Sequence, residues 1–218
     1  MQEEKIITEL KKQDVTSVSD ALDSLGIPCG AYGIKPIQRG IPFCGRAFTV
    51  HYVPCGMKKG TVGDFLDDVL ANQVVVIDNA GRTDCTVWGD IMTNVANQKD
   101  IAATVINGVC RDIPGILSTT YPVYSKGFYM VTGKERVQID TVNEPVSLGE
   151  VQVRPNDIIM GDDTGVVVIP DELAEKVLKV AISIQEDEQG IIQLVKNGST
   201  LKEARAKMGY FHLQSQQK

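Results

Sequence analysis

Three charged side chains stand out by type and spacing: Asp90, then twenty residues, then Arg111 beside Asp112. The Arg-Asp pair follows an apolar run and a glycine in the stretch TVINGVCRDIPG, residues 104–115. A guanidinium presents a planar fork suited to a carboxylate or to the oxygens of an α-keto acid. Asp112 is a hard oxygen ligand for magnesium or manganese, and Asp90 could hold a metal-bound water. Gly89 lets a backbone approach a ligand closely. The amides of Asp90, Ile91 and Met92 are expected to sit unpaired at a helix start, open to a carboxylate. Plainer readings exist for the same residues. An Arg-Asp dipeptide after a strand commonly serves as a surface pair or a cap, and Asp90 alone reads as an N-cap.

The elements around these residues give them a common place. VVVIDNAG reads as a strand leading through a turn into a helix, and TVING as a second strand leading into VCRDIPGIL. Apolar, β-branched strands alternating with helices are the pattern of parallel βαβ packing. Neighbouring strand-to-helix junctions of such a sheet open on one edge, where ligands bind. Upstream, residues 2–13 read as an amphipathic helix. TSVSDALDSLGI reads as a second, capped by Thr16 or Ser17 and stopped near Gly26. From Pro28 to Gly45 the chain reads as an ordered loop with Ile34, Ile37 and Ile41 packed beneath it. AFTVHYV follows as a strand and GDFLDDVL as a helix.

Beyond Gly127, short turn-separated segments read as antiparallel or mixed strands, with GDDTG at 161–165 as a hairpin turn. A helix from Pro170 to about Gln193 should close the core, followed by a short helix and a polar tail. The expectation is a single α/β domain over 1–218 with a mixed sheet: N-terminal helices at 2–26, a core at 45–193 and a tail at 194–218.

Composition narrows the chemistry. A net charge of −6 argues against a general nucleic-acid binder. Lys58-Lys59 and the stretch Lys202 to Lys207 read as solvated faces. The charged, amphipathic N-terminus reads as neither a signal peptide nor a transit peptide, and no window approaches the roughly 18 apolar residues of a membrane helix. Five cysteines (29, 44, 55, 85 and 110) without a C-x-x-C point to a reducing cytoplasm rather than to disulfides or structural zinc. Two histidines, His51 and His212, cannot build a multi-histidine zinc centre in one subunit, so a metal here falls to carboxylates and water. Cys110 reads as a small buried residue and Trp88 as packing.

DNAGRTDCTVWGDIMTNVA, VINGVCRDI and VRPNDIIMGDDTGVVVIP, with TSVSDALDSLG and GRAFTV, resemble the RraA-like family in order and without large gaps over roughly residues 14 to 190. That family includes the metal-dependent 4-hydroxy-4-methyl-2-oxoglutarate / 4-carboxy-4-hydroxy-2-oxoadipate aldolases. The spacing of Asp90 and Arg111-Asp112 looks like the aldolase form of the site. The resemblance implies a β/β/α swivelling-type sandwich, assembled as trimers or pairs of trimers with sites between subunits. It implies that Gly89 to Met92 bind a pyruvyl carboxylate and that Arg111 binds keto and carboxylate oxygens. Asp112 would hold Mg2+ or Mn2+, and an acid from a neighbouring subunit's C-terminal region would assist, with Glu186, Asp187 and Glu188 as candidates. Gly115 departs from relatives that carry an acid at that place. The implied activity is cleavage of 4-hydroxy-2-oxo di- or tricarboxylic acids to pyruvate, with oxaloacetate decarboxylation as a companion. Two other roles occur among relatives. One is non-catalytic regulation of an RNA-degrading endonuclease. The other is methyl transfer in menaquinone synthesis, which the lack of a glycine-rich S-adenosylmethionine loop disfavours.

Overall fold

A computed structural model of the protein describes residues 2–57 and 59–209. The chain forms two compact units, one of Met1–Cys29 with Glu172–Lys218 and one of Gly30–Asp171.

The first unit is helical: α1 (Gln2–Leu10), α2 (Val15–Ser24), α5 (Ala174–Lys196) and α6 (Leu201–Met208). The long α5 packs on α2, α6 and α1, burying Val177, Ala181 and Ile184 where α2 buries Val18, Ala21 and Leu22. α1 ends a turn earlier than its polar sequence suggests. The cap of α2 is Asp14 rather than Thr16 or Ser17, because its Oδ1 accepts the Ser17 amide at 2.7 Å. A capping box between Thr200 and Glu203 starts α6. The tail from residue 210, with His212, lies outside the described residues.

The second unit is built on a mixed sheet. Its elements are β1 (Lys35–Pro36), β2 (Phe43–Pro54), β3 (Gln73–Asp78), α3 (Asp90–Gln98), β4 (Ala103–Asn107), α4 (Ile113–Leu117), β5 (Val123–Ser125), β6 (Val137–Val142), β7 (Val146–Leu148), β8 (Val151–Val153), β9 (Ile158–Gly161) and β10 (Val166–Ile169). The strand order is β1-β5-β4-β3-β2-β9-β10, with β6 also paired to β2 and β7-β8 a separate hairpin. β2, β3, β4 and β5 run parallel, while the partners at the margins are antiparallel. This is the expected α/β class with a mixed sheet.

The run VVVI of β3 is apolar throughout because both of its faces are covered. Val75 and Ile77 enter one core with Phe48, Val50, Ile106, Trp88 and Ile116, whereas Val74 and Val76 enter another with Ala47, Val105, Tyr124 and Leu148. Each buried valine, leucine, isoleucine or phenylalanine among them contributes about 1.5–3 kcal/mol. The register pairs Asp78 with Asn107, so β3 and β4 end together and their outgoing loops start from one edge.

Two local expectations change. GDFLDDVL forms a short 3-10 helix, Asp64–Asp68, rather than an α-helix. Lys99 holds its end open by donating to the Leu66 and Asp67 carbonyls at 3.0 and 2.6 Å. Pro28 to Gly45 is not all loop, since it carries β1 and the start of β2. Ile34 is buried there, and Ile37 and Ile41 are half-buried. GDDTG is the hairpin turn expected, with the Thr164 amide on Asp162 Oδ1 at 2.7 Å.

Candidate active site

The loops leaving β3 and β4 run side by side. Thr86 bridges Val109 in parallel, and the Arg111 amide donates to the Trp88 carbonyl at 3.0 Å. Two junctions twenty residues apart in sequence are thereby fastened backbone to backbone. Gly89 is the N-cap of α3 and Asp90 its first helical residue, so the plain N-cap reading of Asp90 moves one residue upstream. Behind them Trp88 is buried and stacks on Tyr121 with ring centroids 6.3 Å apart, a packing role. Its indole N–H donates to Thr93 Oγ1 at 2.9 Å, and that hydroxyl donates to the Gly89 carbonyl at 2.9 Å. Thr93, which sequence reasoning passed over, thus ties the start of α3 to the core.

Gly89 is required by close approach rather than by its dihedral angles. A Cβ there would lie 2.5 Å from Asp112 Oδ2 and 3.4 Å from Arg111 Cγ. Asp112 takes a left-handed backbone, φ 57° and ψ 41°, at the entry to α4. Asp and Asn tolerate that region better than other non-glycine residues, and held conformations of this kind collect at functional sites. Arg111 Nε stands 3.2 Å from Asp112 Oδ2, and both side chains are about a third exposed (34% and 36%). The dipeptide is therefore the ion pair of the plain reading and also part of a cavity wall.

That cavity has a volume of about 510 Å³, and Gly89, Asp90, Ile91, Met92, Arg111 and Asp112 all line it. All six expected residues come together. One detail is corrected: of the three amides expected to be unpaired, that of Ile91 is taken by Asp90 Oδ1 at 2.8 Å. The Asp90 and Met92 amides remain directed by the helix start, and Thr93 makes the first helical bond, to Gly89, at 3.0 Å.

The same cavity is lined by Lys59, Thr132, Lys134 and Glu135, which sequence reasoning did not find. Lys59, expected on a solvated face, is part of this lining, and Lys58 lies outside the described residues. The signal available was only a turn, TGKE, because these residues arrive on a loop whose position is set by tertiary contacts. Cys110 is the inert buried residue expected. Burial pushes its thiol up to about 11, and Sγ lies 3.7 Å from both Ser125 Oγ and the Gly127 carbonyl. Glu186, Asp187 and Glu188 stand on α5 in the helical unit.

The donors Asp112 and Asp90 are hard carboxylate oxygens, which suit Mg2+ or Mn2+ rather than a thiolate- or imidazole-seeking ion. Among the described residues no three His, Cys, Asp or Glu side chains converge, so this chain would offer a cation one or two carboxylates and leave the remaining positions to water or to groups from elsewhere.

The RraA-like family, described as Aldolase/RraA, matches residues 15–168. Protein DlpA of Legionella pneumophila is 41% identical over 204 residues, which is 92% of this chain and 33% of that protein, so the chain spans about a third of that relative's length. A protein of Halalkalibacterium halodurans, provisionally named 4-hydroxy-4-methyl-2-oxoglutarate aldolase, is 34% identical over 84% of this chain and 85% of its own. The crystal structure of an uncharacterised Pseudomonas syringae protein superposes with a TM-score of 0.87 at 40% identity, covering 93% of this chain and 97% of that one.

Proposed function

The chain belongs to the RraA-like family, described as Aldolase/RraA, and on that premise we propose that it is a divalent-metal-dependent pyruvate aldolase acting on 4-hydroxy-2-oxo acids with two or three carboxylates. One observation carries the reading: Arg111 and Asp112 face the same cavity as the start of α3, in the arrangement an anionic 2-oxo acid needs. The amides of Asp90 and Met92 bind the C1 carboxylate, favoured by the helix start. Arg111 donates to the C2 keto oxygen. Asp112, with Asp90 close by, would hold Mg2+ or Mn2+, and the cation would supply Lewis acidity at the 2-oxo group.

Cleavage breaks the C3–C4 bond. A water hydrogen-bonded to Asp90 accepts the proton of the 4-hydroxyl, and C4 leaves as a carbonyl compound. The bonding pair moves into the C2 carbonyl, whose growing negative charge Arg111 meets with its fixed guanidinium. Contacts of this kind are worth about 100- to 1,000-fold in rate. Protonation of C3 by the same water releases pyruvate. The same flow of electrons from oxaloacetate expels carbon dioxide in place of the carbonyl product. No lysine Schiff base is needed.

Phe128 and Met130 are well exposed beside Tyr129, whose amide donates to Cys110 next to Arg111. An exposed apolar run of this kind fits burial against another copy, and the proposal includes a homotrimer or homohexamer in which a neighbouring copy lends the site a further acid. Five free cysteines support a cytoplasmic setting. Among the described residues no helix is long and apolar enough to cross a membrane.

The test is pyruvate formation from oxaloacetate by metal-stripped protein, with and without added Mg2+ or Mn2+, beside Arg111→Ala. Metal-dependent turnover lost in the variant is expected. Silence of folded protein with both metals would move the chain to the family's other role, regulation of an RNA-degrading enzyme.

A further inference from the structure

Three cationic side chains line the cavity, and they differ in what neutralises them. Arg111 stands 3.2 Å from Asp112, and Lys59 Nζ lies 2.9 Å from Glu135 Oε2. Lys134 makes no ion pair among the described residues, although it lies next in sequence to Glu135. Glu135 is drawn the other way: its backbone is left-handed, φ 65°, and its carboxylate is held by Lys59.

Lys134 is also placed by backbone contacts. Gly133 is packed so closely on the Thr86 carbonyl that a side chain there would collide with it. The Thr86 amide and hydroxyl both donate to the Val131 carbonyl, at 3.0 and 3.1 Å. Beyond the turn, the amides of Arg136 and Val137 converge on the Gly133 carbonyl at 2.8 and 2.9 Å, and Arg136 Nη1 donates to the Thr132 carbonyl at 3.1 Å. Thr86 belongs to the same short run as Trp88 and Gly89. The base of Lys134 is thus fixed to the segment that presents the α3 amides, while its long side chain keeps its reach.

A cation lacking a carboxylate partner, its backbone held at a fixed place on the wall of a cavity proposed to bind one carboxylate, suits a second anionic group on the ligand. We infer that Lys134 determines specificity by binding the distal carboxylate of the substrate, so that the site selects 2-oxo dicarboxylic acids over the corresponding monocarboxylic acids. This rests on the proposed reading for which end of the substrate reacts. The Lys59–Glu135 pair beside it leaves Lys134 as the cation available to that group.

The test uses binding, so that its outcome does not depend on turnover. Calorimetry on the full chain with Mg2+ present compares 2-oxoglutarate with 2-oxopentanoate, which has the same chain length and no distal carboxylate. The wild-type protein should favour 2-oxoglutarate by about tenfold or more. Lys134→Ala should abolish that preference and leave 2-oxopentanoate unchanged, and Lys134→Arg should restore part of it. Lys134 is exposed, so the variant should fold, which circular dichroism checks. Equal affinities in the wild type, binding of neither acid, or a preference that survives Lys134→Ala would each overturn the inference. Failure to turn over oxaloacetate would instead count against the lyase reading and leave the ratio of affinities to be read on its own.

Discussion

Gly115 lies against Asp90: a Cβ on residue 115 would fall 2.6 Å from Asp90 Cβ and 3.3 Å from Asp90 Oδ2. The contact leaves no room for a side chain at residue 115 while Asp90 keeps its place. With α3 and α4 as they stand, residue 115 and Asp90 compete for the same space, and glycine gives it to Asp90.

Gly115→Ala should therefore act on Asp90 more than on the backbone of α4. Alanine is the better helix former, but the added methyl forces Asp90 or the first turn of α3 to move, at a cost of about 1–3 kcal/mol. Pyruvate formation from oxaloacetate should fall about tenfold or more. Full activity in that variant would show that the position of Asp90 does not matter to the chemistry.

Asp112 offers a way to separate conformation from chemistry. Its left-handed backbone costs a typical L-residue roughly 1–2 kcal/mol and glycine nothing. Asp112→Gly should keep or slightly raise Tm and yet lose turnover by about a hundredfold or more, the scale on which charged active-site groups act. Asp112→Ala should lose both. Near-normal rates in the glycine variant would reduce Asp112 to a residue kept for its turn.

How much of this was legible in the sequence follows from where the determining contacts lie. VVVID and TVIN announce their strands because both faces are buried, and Asp90 with Arg111-Asp112 falls at the ends of those strands, so the heart of the site could be read. The cap of α2 is not legible in the sequence because Asp14, Thr16 and Ser17 all have capping side chains within one turn, and only geometry chooses Asp14 among them. GDFLDDVL carries a helical pattern, but Lys99, distant in sequence, takes up its terminal carbonyls. Lys134 reached the cavity unseen because the close packing of Gly133 on Thr86 is a tertiary contact without a periodic signature.

Thr93 joins the start of α3 to the core through a single hydroxyl that accepts from Trp88 Nε1 and donates to the Gly89 carbonyl. Thr93→Val keeps the shape and removes both bonds, leaving a buried indole N–H unpaired at a cost of about 1–3 kcal/mol. Trp88 is the chain's one tryptophan, so denaturant unfolding followed by its emission reports the change directly. An unchanged midpoint would mean that the indole finds another partner.

In the helical unit, burial raises the pKa values of Asp20 and Glu188, Asp20 further through Asp23 and Asp14 and Glu188 through Asp14 and Asp20. Between the ordinary values of 3.8 and 4.5 and the raised ones, the folded chain holds protons that the unfolded chain has released. Stability therefore falls as pH rises through that window, and the penalty is fully present above it. Asp14 has the opposite sign. Burial acts to raise it, but hydrogen bonds from Thr16 and Ser17 prevail and lower it, so its contribution is present above 3.8 and lost as pH falls through the lowered value. Asp20→Asn and Glu188→Gln should each raise Tm at pH 7, with a gain that shrinks in melts at pH 4.5. Asp14→Ala should cost about 1 kcal/mol at pH 7 as a lost cap. A gain from Glu188→Gln of equal size at both pH values would show that packing, and not charge, sets the effect.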